Sequence, residues 1–581
     1  MFKKYSLDVA DYVTISLTLL FSTGIGLFSR YFGGKQKTTA DYLLAGKNMP
    51  KYPVIFSLMV TLTSTTSFLA SPAEVYKYGI GITMSNLMIP VGMLLSSIVL
   101  IPVYFQCEVS SITEFLEMRY GRIIRYLVSV MFLLQMVFYM SISLYGAVLA
   151  LSAVTDLSFE MSVVSLGTVC AFYCSLGGLK AVLWTDVFQA LLMITCILAI
   201  YTAGIFDAGG ITEIIQKATS GNRLSFFEFI PDMTLRYGFW ACATQGLILG
   251  VSFFGTNQIE VQRLLSLSSS KRAKSTLRMS SLPMFLMHSA CCYIGIVLYG
   301  VYYNCDPILN KRTTGLSKYD QIVPAYIVQR FSSYPGLTGL CIAGVFSAAL
   351  STISSCLNSA STVTVIDYLI PLFQKNNISD LKIIFLAKTM SIIYGGICIG
   401  LSFIFQQASS IHHLTQVFVV LPQGIVCGVF LFGVLTRKAS DKCISVAAIM
   451  TYIIMAWIAL SSLHVGYIQS TLPLSDSMCS SSQNETMFEN STMVECLNST
   501  NCSSVSPIST IGEYFRDSFV LYKMSFMWYA FLGFLLTIVF TSFAVLITGW
   551  KKSMIPANSK CLSPVARLWI DKNYDSNQEQ K

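Results

Sequence analysis

Residues Phe346 to Thr362 read FSAALSTISSCLNSAST, inside a 36-residue stretch, Phe331 to Ile366, without Asp, Glu, Lys or Arg. Eight of those 17 residues carry a Ser or Thr hydroxyl. Lipid offers a hydroxyl no water, so each must bond the backbone, meet a neighbouring helix or face a wet cavity. Ala348, Ser351 and Thr352 fall at i, i+3 and i+4, which places them on one helical face. Neutral oxygens on one face, aimed at a cavity, can ligate a hard cation such as Na⁺. The same residues also suit close helix packing through small polar side chains, and the spacing leaves both readings open. A second cluster places Thr61, Thr63, Ser64, Thr65, Thr66 and Ser67 within seven residues, with Pro72 just after. Hydroxyl and β-branched residues lower helix propensity. An unwound stretch near 60–67 would turn backbone carbonyls toward a cavity, as half-helix ion sites do. An intact Thr-rich packing helix is the other reading.

These clusters need elements to hold them. The chain has 581 residues, 54% hydrophobic and 12% charged, about half the charge of an ordinary soluble domain. The composition is that of an all-α polytopic membrane protein. Thirteen apolar runs approach the roughly 20 residues that a span requires, the first starting at Tyr12 and the last ending at Gly549. The shortest, Met161 to Leu176, is followed by Gly177-Gly178. Lys and Arg set the orientation. Arg30, Lys35, Lys37, Lys47 and Lys51 lie between spans 1 and 2, and Arg119, Arg122 and Arg125 between spans 3 and 4. Arg263, Lys271, Arg272, Lys274 and Arg278 follow span 7, Arg437, Lys438 and Lys442 follow span 11, and Lys551-Lys552 open the tail. All are odd-numbered loops or the tail, so the N-terminus is expected outside and the C-terminus inside. The net charge of +9 is mostly this inside bias and gives no support for nucleic-acid binding.

Sequons give a second test of that topology. Asn484, Asn490, Asn498 and Asn501 each open an Asn-X-Ser/Thr triplet in the Ser/Thr-rich loop between spans 12 and 13, which the charge count puts outside. They are the expected glycosylation sites. Cys305, Cys479, Cys496 and Cys502 fall in outside loops, where disulfides can form. The polar tail after Ala557 is expected to be disordered. The histidines in or beside spans (His288, His412, His413 and His464) have no catalytic company in the sequence, so the chain is expected not to be an enzyme.

Longer motifs extend the reading. SPAEVYKYG (Ser71–Gly79), ITEFLEMRYG (Ile112–Gly121), FYCSLGGLKAVLWTDVFQ (Phe172–Gln189), FGTNQIEVQRLLS (Phe254–Ser266) and LSTISSCLNSASTVTVID (Leu350–Asp367) resemble the sodium/solute symporter family. The similarity is to the branch of monocarboxylate, multivitamin and iodide transporters, and runs from about Asp11 to Gly549. GNRLSFFEF (Gly221–Phe229) and NCDP (Asn304–Pro307) lean toward the monocarboxylate members. The resemblance implies a LeuT-type fold of 13 transmembrane helices: an extra N-terminal helix in 1–30, inverted five-helix repeats in 52–206 (spans 2–6) and 237–436 (spans 7–11), and spans 12 and 13 in 444–549. An outside loop at 465–523 and a cytoplasmic tail at 550–581 complete it.

The resemblance also implies residue roles. Sodium would bind the carbonyls of Val60, Thr63 and Ala348 and the hydroxyls of Ser351 and Thr352. Asp186 falls on the family's acidic position along the inner sodium path, with a loop ion pair to Lys180 as the alternative. Ser67 and Tyr139 match positions tied to a second sodium. Ser67, Asn86, Phe253, Phe254, Ser280 and Gln416 would surround the solute, with Phe253 as an aromatic gate. The acidic residue and lysine that sugar carriers place near Asn86 and Ser280 are absent. The implied activity is sodium-coupled import of a small organic anion, most simply a monocarboxylate, across the plasma membrane. Biotin or pantothenate transport, iodide-type anion transport, and a sodium-dependent sensor or channel on the same fold are the alternatives.

Overall fold

The computed structural model describes residues 7–31, 38–155, 157–227, 229–310, 314–373, 379–407, 410–465, 471–477, 479, 520–549, 554–568 and 570. The four sequon asparagines, Cys496 and Cys502 lie outside these residues. Among the described residues every regular element is helical. Eleven helices are long and apolar enough to span a bilayer, and one bent pair makes twelve.

In chain order these are α1 (Val9–Phe28), the bent pair α2 (Lys51–Leu62) and α3 (Thr66–Tyr78), and α4 (Ile80–Cys107). A short loop helix, α5 (Ile112–Arg119), leads into α6 (Arg122–Ser152). Next come α7 (Phe159–Phe172), α8 (Gly178–Asp207) and α9 (Phe239–Thr256). A second loop helix, α10 (Gln258–Leu265), leads into α11 (Ser270–Val301). The chain continues through α12 (Leu337–Leu372), α13 (Asp380–Gln407), α14 (Ile411–Leu435), α15 (Asp441–Ser462) and α16 (Phe526–Thr548).

The expected fifth span is the difference from thirteen. It is α7, an apolar helix shorter than 18 residues. Gly178 (φ 62°) turns the chain there into α8, and a Cβ on it would press against the Tyr42 ring at 2.8 Å. The hydroxyl-rich helix α12 is the axis of the molecule: 94% of its most apolar window is buried, against 17% for α1 and 28% for α13 and α16.

Burial without water is met mostly by the helix itself. Ser347 donates to Ala343 O at 2.8 Å, Ser354 to Ser351 O at 3.1 Å and Thr362 to Asn358 O at 2.7 Å, the back-bonding open to Ser and Thr in apolar surroundings. Two hydroxyls read as packing groups do more. Ser359 donates to Gln262 on α10, and Ser355 accepts from Arg263 on the same helix.

Glycines set another contact. On α9, Cβ atoms at Gly246 and Gly250 would lie 2.3 Å from Ser85 O and 2.2 Å from Ile89 O of α4. Gly92 of α4 answers, 2.5 Å from Leu247 O. Helices approach this closely only where side chains are missing. At one end of the molecule Cys305, after α11, is disulfide-bonded to Cys479, and Asp306 N donates to Ser475 O beside it. At the other end residues 554–568 pack on the helices instead of running free as expected, because Cys561, Leu562 and Ala566 are apolar and buried.

Candidate functional site

The site begins at the break between α2 and α3. Helix α2 stops at Leu62, and Thr63 takes φ −84°, ψ 73°. The pair bends by 60°, and α3 opens with a π-turn at Thr66–Ala70. The last turn of α2 tightens, with Thr63 N donating to Val60 O at 3.0 Å, and its end carbonyls meet α12. Ser351 Oγ lies 3.4 Å from Val60 O and 3.3 Å from Ala348 O. Thr352 Oγ1 lies 3.4 Å from Thr61 O and 3.1 Å from Ala348 O. All five residues are buried.

Five neutral oxygens therefore converge through contacts that are long for O–H···O hydrogen bonds. A donor set made only of hard oxygens fits an alkali cation. The Thr63 hydroxyl donates to Met59 O at 2.9 Å and meets His288 Nδ1 at 3.5 Å, and Thr61 supplies the carbonyl opposite Thr352; the ligand expected of Thr63 is its backbone carbonyl, on which these side-chain contacts do not bear.

One turn below, Asp186 of α8 sits fully buried. Ser57 of α2 donates to its Oδ2 at 2.5 Å, and Arg263 of α10 pairs with the same oxygen at 3.4 Å. Arg263 also donates to Ser57 Oγ at 2.6 Å, Ser355 Oγ at 2.5 Å and Ile259 O at 2.8 Å. The partner is thus Arg263 and not Lys180, because α10 carries the guanidinium inward between α2 and α12. The Asp186–Arg263 pair meets α2 at Ser57, one turn before Val60 and Thr61.

Above the break lies a cavity of about 110 Å³. Of the residues expected around the solute, Ser67, Asn86, Phe253 and Gln416 line it, and so does Tyr139, expected only at a second sodium. Phe254 and Ser280 do not. Successive residues on a helix diverge by about 100°, so with Phe253 turned inward Phe254 points into the core, where it is fully buried. Ser280 lies two turns away from the cavity-lining His288 on α11, and its hydroxyl donates to Leu277 O at 2.8 Å.

Sequence reasoning missed Gln245, His288, Cys292, His412 and Thr415, which also line the space. Gln245 Nε2 donates to Gln416 Oε1 at 2.5 Å, and Gln416 meets His412 at 3.1 Å. His288 Nε2 meets Ser67 Oγ at 3.3 Å, Asn86 Nδ2 donates to Cys292 Sγ at 3.3 Å, and Thr66 meets Thr415 at 3.0 Å. Gln245 and His288 stood in apolar runs as isolated polar residues, the one signal that could have found them. Among the described residues no Lys, Arg, Asp or Glu lines the cavity. Tyr139 borders it and also interacts with Ser64 and Thr352, which joins cavity and oxygen cluster.

A charged layer caps the cavity. Glu74 of α3 pairs with Arg236 at 2.9 Å and Lys77 at 3.5 Å, and accepts from Tyr237 at 2.7 Å. The Arg236 guanidinium lies 4.5 Å from the Tyr78 ring and 4.8 Å from Phe526. Phe526 in turn packs on His412 at 5.5 Å, so the layer touches the cavity wall.

The geometry has counterparts among known proteins. The Sodium:solute symporter family matches residues 42–454. Sodium-coupled monocarboxylate transporter 1 of Homo sapiens is 31% identical over 548 residues, spanning 94% of this chain and 88% of that protein. The sodium-dependent multivitamin transporter of Oryctolagus cuniculus is 32% identical over 560 residues, spanning 96% and 85%. Among solved structures, the substrate-bound outward-open state of a Na⁺-coupled sialic acid symporter superposes with a TM-score of 0.72 at 21% identity, over 93% of this chain and 98% of that one. The two share a fold.

Proposed function

Because this chain belongs to the sodium:solute symporter family, we propose that it carries a small organic anion, a monocarboxylate first of all, into the cell with Na⁺ by alternating access. Membership makes it a multi-pass membrane transporter and not an enzyme, with Na⁺ as coupling ion and a small solute as cargo. The finer statements are our reading: import at the plasma membrane, thirteen spans in two inverted repeats with the N-terminus outside, glycosylation of the 465–523 loop, and the residues that bind.

One observation carries the anion. The cavity is lined by neutral hydrogen-bonding groups, with no fixed charge of its own, and an oxygen cluster suited to a cation begins two residues before the cavity-lining Leu62. An anion buried without a partner is costly. Na⁺ between Val60, Thr61, Ala348, Ser351 and Thr352 supplies the missing charge, so each ligand favours the other.

The cycle follows from the three layers. Na⁺ enters while the Glu74–Arg236 cap is parted, and the anion then settles among Ser67, Asn86, His288 and Gln416. The cap and Phe253 close. The Asp186–Arg263 pair opens on the other side, and Na⁺ leaves past Asp186. A tenfold sodium gradient supplies about 1.4 kcal/mol, and a membrane potential near 60 mV adds roughly 1.4 kcal/mol per net charge. One Na⁺ with one monovalent anion moves no net charge, so a current requires a second Na⁺, for which Tyr139 and Ser67 are the candidate residues.

The multivitamin transporter is as similar to this chain as the monocarboxylate transporter, so biotin and pantothenate form the second reading. The small cavity favours the shorter acids. Tracer uptake of butyrate, nicotinate, biotin, pantothenate, iodide and glucose, with and without Na⁺, tests both. Sodium-dependent butyrate uptake is the expected result. In the Ser351→Ala/Thr352→Ala variant at normal surface expression, the sodium concentration for half-maximal uptake should rise at least about tenfold, the loss of about 1.4 kcal/mol of binding. An unchanged sodium requirement would remove the site.

A further inference from the structure

Residues 554–568 dock on the Lys/Arg-rich end of the molecule. Ile555 N donates to Arg437 O at 3.0 Å, Arg437 Nε donates back to Ile555 O at 2.8 Å, and Ser563 N donates to Val434 O at 2.9 Å. The segment is therefore fastened to the end of α14. The docking brings Cys561 onto Cys107, the last residue of α4. Cys107 Sγ donates to Lys560 O at 3.4 Å, which sets it against the residue next to Cys561, and the two thiols are close enough to interact. They are 8% and 6% exposed, at a helix end and not in the apolar interior. The thiols of Cys196 and Cys341 also interact, but within α8 and α12 and fully buried. Only the first pair stands where a small water-borne oxidant can arrive.

We propose that Cys107 and Cys561 form an oxidisable dithiol, a modification site at which hydrogen peroxide installs a reversible disulfide between α4 and the segment docked on α14. The chemistry suits the neighbours. Cys561 is the nucleophile: the neighbouring Cys107 thiol, the Ser559 hydroxyl and the Arg119 guanidinium lower its thiol below the usual range against the cost of burial, and the thiolate is the reactive form. Its sulfur attacks one peroxide oxygen. An S–O bond forms, the O–O bond breaks, and hydroxide leaves as water with the proton that Cys561 gave up. The sulfur of Cys107 then attacks the sulfenic sulfur. An S–S bond forms, the S–O bond breaks, and the second hydroxide leaves as water with the proton of Cys107. Two thiols lose two electrons, and one peroxide becomes two waters. In a reducing cytosol the pair rests as thiols.

The disulfide ties the end of α4 to the segment fastened on the end of α14, and the two helices come from opposite halves of the chain. Under the alternating-access reading above, on which this consequence rests, it restrains their relative motion and slows transport.

The experiment uses the full chain in proteoliposomes. Peroxide treatment, blocking of free thiols, proteolysis and mass spectrometry should yield a Cys107–Cys561 cross-linked peptide that dithiothreitol removes. Sodium-driven uptake should fall severalfold on oxidation and recover on reduction. Cys107→Ser and Cys561→Ser should each lose the cross-link and keep uptake under peroxide; the tail variant alone serves if the helix variant does not reach the membrane. Absence of the cross-linked peptide while other thiols oxidise overturns the proposal, and so does unaltered uptake at full cross-linking. If untreated protein transports none of the tested solutes, the transport reading fails, and the cross-link yield still decides the dithiol.

Discussion

Asp320 shows how a single group can report on the cap. It lies in a short turn outside the spans, buried, with Oδ2 accepting from Ile411 N at 3.3 Å at the start of α14. Burial, aided by the neighbouring Glu74 charge, raises its carboxyl to about 6. The folded state therefore holds this proton more tightly than the unfolded chain. Its contribution to stability is complete below about pH 4 and is lost as pH rises through 6, by up to about 3 kcal/mol. Thermal unfolding of Asp320→Asn in detergent should flatten over that window, while wild-type stability declines across it. Phe253 offers a second residue-scale outcome. Phe253→Ala enlarges the cavity and should raise the solute KM more than it changes the sodium requirement, whereas Phe254→Ala leaves a core void costing about 3–5 kcal/mol and should reduce expression. Some of this was legible beforehand. The face Ala348, Ser351, Thr352 follows from helical spacing alone. Arg263 as the partner of Asp186 did not, because the two are distant in the chain and only folding decides between Arg263 and Lys180. Thr61 was hidden for another reason: its contribution is a backbone carbonyl, which no side-chain pattern reveals.

At the scale of elements, hydropathy marked each of the long apolar helices, since burial of some 20 apolar residues leaves a plain trace, but α8 and α11 start well ahead of their most apolar runs. The break in the α2–α3 span was one of two readings of its run of hydroxyl and β-branched residues, and the 60° bend decides for it. The π-turns at Thr66–Ala70, Val365–Leu369 and Gln416–Val420 were not. Each adds a residue to a turn without altering composition, and two of the three contribute residues to the cavity wall. The α4–α9 contact is where an element-scale substitution should be felt most. Gly250→Val would drive a branched side chain into Ile89 O. It should cost about 1–3 kcal/mol or more, read as a lower unfolding temperature and reduced surface expression. Val at Gly396, which has open space where a Cβ would go, is the control that should leave both unchanged.

For the whole molecule, three layers lie in series: a charged cap, a neutral cavity with its oxygen cluster, and a buried Asp–Arg pair. Both charged layers are engaged in ion pairs. Glu74→Gln removes the carboxylate that Arg236 and Lys77 share and should loosen the cap. Cys292 lines the cavity and is a native reporter. A membrane-impermeant maleimide added from outside should label it faster in Glu74→Gln than in wild type, and an equal rate would show that the cap is not the outer barrier. The close approach of α4 and α9 bears on how such opening happens. With Gly92, Gly246 and Gly250 set against the facing backbone, neither helix can slide or roll on the other without collision. They travel as one welded beam, though they come from opposite halves of the chain. Spin labels placed across that weld should keep a constant separation through the cycle, while labels from the weld to α12 change theirs. On the transport cycle proposed above, with α2 moving alongside that beam, the plane of slip would run between α2 and α12, and a cation held there would be the rivet that decides whether the two bodies are joined.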